Sequence, residues 1–145
     1  GYLDNTALTA PDFGQRLDVW VARGKPVVLT VGLPDVPRPV TGHKPTQRRI
    51  DLLAVEQNAW VLAARDPRCV VVATRTEIDW AMRHGQTVVW APSKIVLDAV
   101  DGPKGAGGDG VALALWLAES LAADRLIVHG DVAVPAGSRV IVERA

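Results

Sequence analysis

The chain has 145 residues, 48% of them hydrophobic and 5% aromatic, which fits one domain built around one core. Sixteen basic residues balance sixteen acidic ones, so a general binder of nucleic acid or anionic membranes is not expected. The single cysteine, Cys69, excludes an intrachain disulfide and offers no metal cluster. Without an evident signal peptide or membrane-spanning run, the simplest expectation is a reduced, cytoplasmic protein.

The first part of the chain predicts a helix, a strand, a long loop and a second helix. Residues 2–10 are polar and turn-like, and residues 13–21 carry apolar side chains at helical spacing. The valine-rich run 27–31 predicts a buried strand, and residues 32–45, with four prolines and two glycines, predict an irregular loop. Thr46 is a candidate cap for the next helix. One face of that helix carries Ile50, Leu53, Ala54, Gln57, Trp60, Val61 and Ala64.

The middle of the chain predicts two more strands, at residues 69–74 and 87–91. Between them, Thr74 and Glu77 have the spacing of a capping box, which predicts a short helix that ends at Gly85, with His84 as its cap. Ile78 and Met82, with Trp80 as a further candidate, are expected to face inward from this helix. Residues 93–100 fit either a short strand or one helical turn.

A glycine-rich segment, residues 101–110, leads into an apolar helix over 111–123 and a strand over 125–128. Asp109 is a natural N-cap for this helix, and the glycines allow the backbone to approach a ligand closely. Because a helix N-terminus favours anions, the segment is a candidate anion site. A connecting loop before a buried helix is the alternative interpretation. A last strand is predicted over residues 138–143.

Strands that alternate with helices predict an α/β domain, a three-layer αβα sandwich with a mainly parallel sheet. Ligands of such sheets bind beyond the carboxyl ends of the strands. The three irregular loops over residues 32–45, 92–108 and 130–135 all leave predicted strand ends. They are therefore expected to meet at one edge of the sheet and to form a ligand cleft there.

Several positions between Asp109 and Val132 fit one family pattern, namely Asp109, Ala112, Leu117-Ala118, Leu121, Ala123-Asp124, Leu126-Ile127 and Asp131-Val132. In these residues the chain resembles the amino acid kinase family, which includes aspartokinase, acetylglutamate kinase and uridylate kinase. It is most similar to the small aspartokinase-related kinases of archaea and methylotrophs. The resemblance implies an amino acid kinase-like fold, ATP with Mg²⁺ as cofactors, a small-molecule substrate and an oligomer.

The chain also departs from the family pattern. The family opens with a strand carrying Lys-x-Gly-Gly-Ser, whose lysine and glycines handle the transferred phosphate. This chain begins with Gly1-Tyr2-Leu3, where that motif ends in the family, so the first strand is expected to be missing. Gly108 and Gly110 replace the hydroxyl residues that flank the family's aspartate. These departures predict a catalytically degenerate relative.

Phosphoryl transfer requires cations and amides around the phosphate, which selects the candidate site residues. Lys104 and Asp109 are the predicted catalytic residues, since Lys104 is the lysine within the glycine-rich segment. Asp109 and Asp131 are candidates to orient Lys104 or a metal, with a helix cap and a turn residue as their alternative roles. No metal cluster is predicted. The predicted ligand- and phosphate-binding residues are Gly32, Lys94, Gly105, Gly107, Gly108, Gly110 and Asp131.

Three functions are compatible with these features. The favoured one is a degenerate, kinase-like subunit of a homo- or hetero-oligomer, which binds a nucleotide or small phosphorylated ligand. An active ATP-dependent small-molecule kinase of the cofactor-biosynthesis type is the first alternative. An oxyanion-binding or storage subunit is the second. The apolar helix around Trp60, together with an exposed sheet edge, is the expected surface for association.

Overall fold

The computed structural model describes residues 1–99 and 110–145. Five predicted site residues therefore lie outside the described part of the chain: Lys104, Gly105, Gly107, Gly108 and Asp109. Gly32, Lys94, Gly110 and Asp131 lie within it.

The described chain forms strands and helices in near alternation. The strands are β1 (Tyr2–Leu3), β2 (Val28–Val31), β3 (Cys69–Val72), β4 (Thr87–Trp90), β5 (Arg125–His129) and β6 (Ile141–Arg144). The helices are α1 (Asn5–Thr9), α2 (Phe13–Val21), α3 (Lys44–Ala63), α4 (Arg75–Arg83), α5 (Ser93–Asp98) and α6 (Gly110–Ser120). The ambiguous segment after residue 92 is thus helical at α5.

All strand pairs are parallel, and the strands lie side by side in the order β3-β4-β2-β1-β5-β6. The predicted mainly parallel α/β sheet is confirmed. From β1 the chain builds the sheet toward β3, and it later returns past β1 to add β5 and β6. The connections therefore diverge between β1 and β5, and the carboxyl ends of these two strands border the switch point where open α/β sheets bind ligands.

Helices cover both faces of the sheet. On one face, Leu8, Leu17 and Ala59 from α1, α2 and α3 pack with Leu3 and Leu29 of the sheet. On the other face, the apolar side chains of α4 and α6 pack against the strands: Ile78, Ala81, Leu113, Leu115, Leu117 and Ala118. This three-layer arrangement is the one that the alternation of elements predicted.

Several local predictions about helix ends are confirmed, and one is corrected. Thr74 and Glu77 form the capping box of α4, and His84 is its C-cap, with the ring atom Nδ1 2.7 Å from the carbonyl oxygen of Trp80. Helix α3, however, begins before Thr46. His43 is its N-cap, and the backbone N–H of Thr46 donates to the His43 ring.

The prediction that residues 2–10 are turn-like is wrong. They form β1 and α1, and Asp4 caps α1 by accepting a 2.8 Å hydrogen bond from the N–H of Ala7. A strand of two residues has too short a pattern to be recognised from its own side chains. Its neighbours β2 and β5 define it, because both pair with it.

The predicted inward face of α3 is also wrong in part. Leu53, Trp60 and Val61 are exposed, by 48%, 64% and 54%, and Trp80 of α4 is 55% exposed. The residues of α3 that pack into the core are Leu52, Ala54, Val55, Asn58, Ala59 and Leu62. Apolar side chains surround much of this helix, so spacing alone does not distinguish the two faces.

Candidate ligand site at the carboxyl edge of the sheet

Helix α6 begins in contact with the end of β2. A Cβ atom on Gly110 would lie 2.7 Å from Tyr2 Cε2 and 2.9 Å from Gly32 Cα. A Cβ atom on Gly32 would lie 2.5 Å from Tyr2 Oη. Two glycines therefore allow the N-terminus of α6 to reach the carboxyl ends of β1 and β2. This places the positive end of the helix dipole at the sheet edge where ligands bind.

Two asparagines hold the backbone that follows β2. Asn58 of α3 is buried, and its side-chain amide donates to the carbonyl oxygen of Gly32 at 2.9 Å and to Asn5 Oδ1 at 3.0 Å. Asn5 in turn donates from Nδ2 to the carbonyl oxygen of Leu33 at 2.8 Å. Because buried amides are stable only when they are hydrogen-bonded, this network fixes the loop after β2 against α1 and α3.

A carboxylate lies at the switch point between β1 and β5. The backbone N–H of Asp4 donates to the carbonyl oxygen of His129 at 3.2 Å, which joins the two strand ends. The following residue, Gly130, has φ = 118°, and a Cβ atom there would overlap the Asp4 carboxylate. Asp4 is thus held by its hydrogen bond from Ala7 and by its contact with Gly130.

The four predicted site residues that the structure describes all lie at the carboxyl edge of the sheet, but they do not all contact one another. Gly32 and Gly110 are in direct contact. Asp131 is exposed in the loop after β5, on the other side of β1. Lys94 is exposed in α5, which follows β4.

The surroundings of Lys94 make it a weak phosphate-binding candidate. The backbone N–H of its neighbour Ser93 donates to Glu56 Oε1 at 2.9 Å, so a carboxylate already occupies this end of α5. The backbone amides of Ala73 and Thr74 lower the pKa of Glu77, and the charge of Lys94 adds to that effect. The positive charge of Lys94 therefore interacts with the carboxylate of Glu77, near the end of β3.

Sequence reasoning missed Asp4, Asn5 and Asn58. A signal for Asn58 was present, because it is a polar residue between the core positions Val55, Ala59 and Leu62 of α3. Such a residue requires hydrogen-bond partners. Asp4 and Asn5 could not be recognised as residues at a strand end, because the strand before them has only two residues.

A cavity of about 660 Å³ is lined by residues of β2, β5, α2 and α6. His129 lines it and is 6% exposed, its ring centroid lies 5.0 Å from that of Trp20, and its Nε2 atom has no hydrogen-bond partner among the described residues. Burial lowers the pKa of His129, and the positive charge of Arg16 lowers it further. His129 is therefore expected to be neutral at pH 7.

The lowered pKa of His129 predicts a loss of stability in mild acid. In the unfolded chain His129 binds a proton near its ordinary pKa of about 6.5, whereas the folded chain resists protonation. The free energy of unfolding should therefore fall as the pH decreases below this value. His129→Phe keeps a ring beside Trp20 and should remove this part of the pH dependence. Urea denaturation of both proteins between pH 5 and pH 8 measures it, and parallel curves would contradict the prediction.

Other chemistry is sparse in the described part of the chain. Burial raises the pKa of Cys69 to about 11, so its thiol is protonated and unreactive at neutral pH. Residues 1–99 and 110–145 contain no group of three His, Cys, Asp or Glu side chains placed to hold a metal ion. Within the same residues, no helix has the length and apolar character needed to cross a bilayer.

In comparisons with known proteins, no family model, curated protein or solved structure matches this chain. The resemblance to the amino acid kinase family therefore stays a prediction.

Proposed function

We propose that this chain binds a nucleotide or another small phosphorylated ligand at the carboxyl edge of its sheet, without phosphoryl transfer and as part of an oligomer. The contact between Gly110 and Gly32 is the observation that supports this proposal most directly. Bringing two backbones so close has a cost in chain entropy, because glycine is the least restricted residue. Binding of a ligand close to the backbone at this point explains why glycine occupies both positions.

The electrostatics of α6 favour an anionic group. The helix has 11 residues, and its N-terminus lies beside the ends of β1 and β2. A dipole of this length carries roughly half a positive charge at its N-terminus. Lys104, in the preceding glycine-rich segment, supplies a full positive charge in this proposal, and Asp109 orients it.

The carboxylates at this edge favour a magnesium complex over a bare phosphate. Asp4 lies at the switch point, and Asp131 is exposed after the neighbouring strand. Two carboxylates near a phosphate repel it unless a cation lies between them. Carboxylate and phosphate oxygens are the ligands that Mg²⁺ prefers, so Asp131 is the side chain we assign to the metal of a Mg²⁺–nucleotide.

Calorimetry with ATP and Mg²⁺ tests the proposal. Binding is expected, with an increase in the melting temperature by mass action. Lys104→Ala should weaken the affinity by about 10- to 150-fold, because a hydrogen bond to a charged group contributes about 1.5–3 kcal/mol. Gly108→Val should abolish binding, since a side chain blocks close approach of the backbone. Lys94→Ala is the matched control and should have little effect.

The outcomes separate the three functions. ATP binding without ADP formation supports the proposed subunit, whereas steady ADP formation with a small-molecule acceptor supports the kinase. Binding of molybdate or sulfate with no response to any nucleotide supports the oxyanion subunit. Absence of both heat and thermal shift for every anion contradicts the proposal.

The oligomer is supported by the outer face of α3, which exposes Leu53, Trp60 and Val61. Neighbouring exposed apolar side chains on one helix are typical of association surfaces. Light scattering on the calorimetry sample measures the mass. A monomer at high micromolar concentration contradicts this part of the proposal.

A further inference from the structure

The outer face of α3 carries a heptad repeat. Residues spaced alternately by four and three positions lie along one side of a helix, as the a and d positions of a coiled coil do. The α3 stripe, as we call this row, consists of Ile50, Leu53, Gln57, Trp60 and the C-cap Ala64. Its members are exposed or half-buried, Leu53 by 48% and Trp60 by 64%. This exposure shows that no helix in the described part of the chain packs on the stripe.

Opposite charges flank the α3 stripe on one side. Arg49 and Glu56 precede Ile50 and Gln57, so both occupy the g position of the heptad. Arg49 is exposed, and Glu56 is half-buried, with Oε1 accepting a 2.9 Å hydrogen bond from the N–H of Ser93. When two such helices pack antiparallel, the g positions of one lie beside the g positions of the other, where ion pairs set the orientation. A second copy would therefore bring its Glu56 to Arg49 and its Arg49 to Glu56.

The register that satisfies both ion pairs also matches the apolar positions. It packs Leu53 against the partner's Ile50 at the centre of the interface. It also places Trp60 against the partner's His43, which is the N-cap at the other end of α3. The two-fold axis then passes near the middle of the 20-residue helix, so the two helices overlap over most of their length.

A loop residue on the other side of the α3 stripe fits the same register. Val40 is 88% exposed, and its two neighbours are fixed to α3: the N–H of Thr41 donates to Gln47 Oε1 at 2.7 Å, and Gln47 Nε2 donates to the carbonyl oxygen of Pro39 at 3.3 Å. Gln47 and Val61 both occupy the e position, near opposite ends of α3. Antiparallel packing therefore brings Val61, which is 54% exposed, toward the partner's Val40.

We propose that the α3 stripe is a dimer interface whose partner is a second copy of this chain, related by a two-fold axis and with its α3 antiparallel. A two-fold interface requires one surface that is complementary to itself. The stripe meets this requirement with an apolar centre, two Arg–Glu pairs and a valine contact at each end. The match between Arg49 and Glu56 selects a second copy over a different polypeptide. The inference rests on the oligomer of the proposed function and specifies its surface and symmetry.

Analytical ultracentrifugation between about 1 and 100 µM tests the apolar centre. The unmodified chain should be a dimer at the upper end of this range. Leu53→Glu places a carboxylate at the centre twice in each dimer and should weaken association at least about 100-fold. Trp80→Glu is the matched control, because Trp80 is 55% exposed on α4, which packs on the other face of the sheet. This variant should associate like the unmodified chain.

A charge exchange tests the antiparallel register. Arg49→Glu alone and Glu56→Arg alone each bring like charges together twice in the dimer, and each should weaken association at least about tenfold. An equimolar mixture of the two variants pairs opposite charges again and should recover the affinity as a heterodimer. The double variant should recover it as a homodimer. Mixing cannot repair a folding defect, so recovery in the mixture reports the contact between copies.

The proposal is overturned if Leu53→Glu dimerises like the unmodified chain, because the oligomer then uses another surface. Failure of the mixture to recover association overturns it as well. A monomer at about 100 µM contradicts both this interface and the oligomer of the proposed function. The nucleotide site is read separately, by calorimetry with ATP and Mg²⁺ on Leu53→Glu. This variant should bind like the unmodified chain, since the α3 stripe faces away from the sheet, so the two failures are distinguishable.

Discussion

Gly110→Ala is expected to lower the free energy of unfolding by about 2–3 kcal/mol, because inserting a methyl group into a closely packed contact forces the surroundings to move. The added Cβ would meet the Tyr2 ring at 2.7 Å and the Gly32 backbone at 2.9 Å. The Tyr2 ring is buried, and the backbone of Gly32 is held by Asn58. The N-terminus of α6 must therefore move away from β2.

Urea denaturation measures the loss, and Gly14→Ala is the matched control. Gly14 lies within α2, and a Cβ atom there meets nothing within 4 Å. The same substitution should stabilise that helix by about 0.5–1 kcal/mol, since alanine loses less chain entropy than glycine. Equal effects at the two positions would contradict the close approach of α6 to β2. In the proposed function, Gly110→Ala also weakens nucleotide binding in the folded protein.

Gly130→Ala is expected to destabilise the fold by about 3 kcal/mol, because two unfavourable effects add. Alanine at φ = 118° is strained, at a cost of about 1–3 kcal/mol. Its Cβ would also overlap the Asp4 carboxylate and displace it from the N–H of Ala7. Loss of such an N-cap costs about 0.5–2 kcal/mol.

A pair of comparisons separates the two effects. Gly137 has φ = 86° and open space around it, so Gly137→Ala reports strain without a steric contact. Adding Asp4→Ala to Gly130→Ala removes the overlapping carboxylate, so the double variant should be more stable than the sum of the two single losses predicts. Additive losses in this cycle would show that Asp4 and Gly130 are not in contact.

The fold class was predictable because its signals are local. Runs of valine form β2, β3 and β4, and glycine or proline follows the helices between them. The same signals failed for β1, whose two residues become a strand only through pairing with β2 and β5. They failed for α3 because apolar side chains occupy its buried face and its exposed face alike.

The candidate site was predictable to the extent that it follows strand ends. Gly32, Lys94, Gly110 and Asp131 were assigned to one edge by this rule, and they lie there. The strand order decides that Gly32 and Gly110 are in contact, whereas Lys94 lies beside a carboxylate. This order cannot be read from local sequence patterns. The partners of Asn58 depend on tertiary contacts in the same way.

The central position of β1 has a consequence for the order in which the chain folds. Tyr2 and Leu3 pair with Val128 and His129, which lie near the other end of the sequence. Closing so long a loop has a large entropic cost, which must be met before the contact can stabilise the fold. Contacts between residues far apart in the sequence therefore slow folding. During synthesis β1 also waits for β5 to leave the ribosome. The pairing of β1 with β5 therefore forms late, after β2, β3 and β4 have had time to associate.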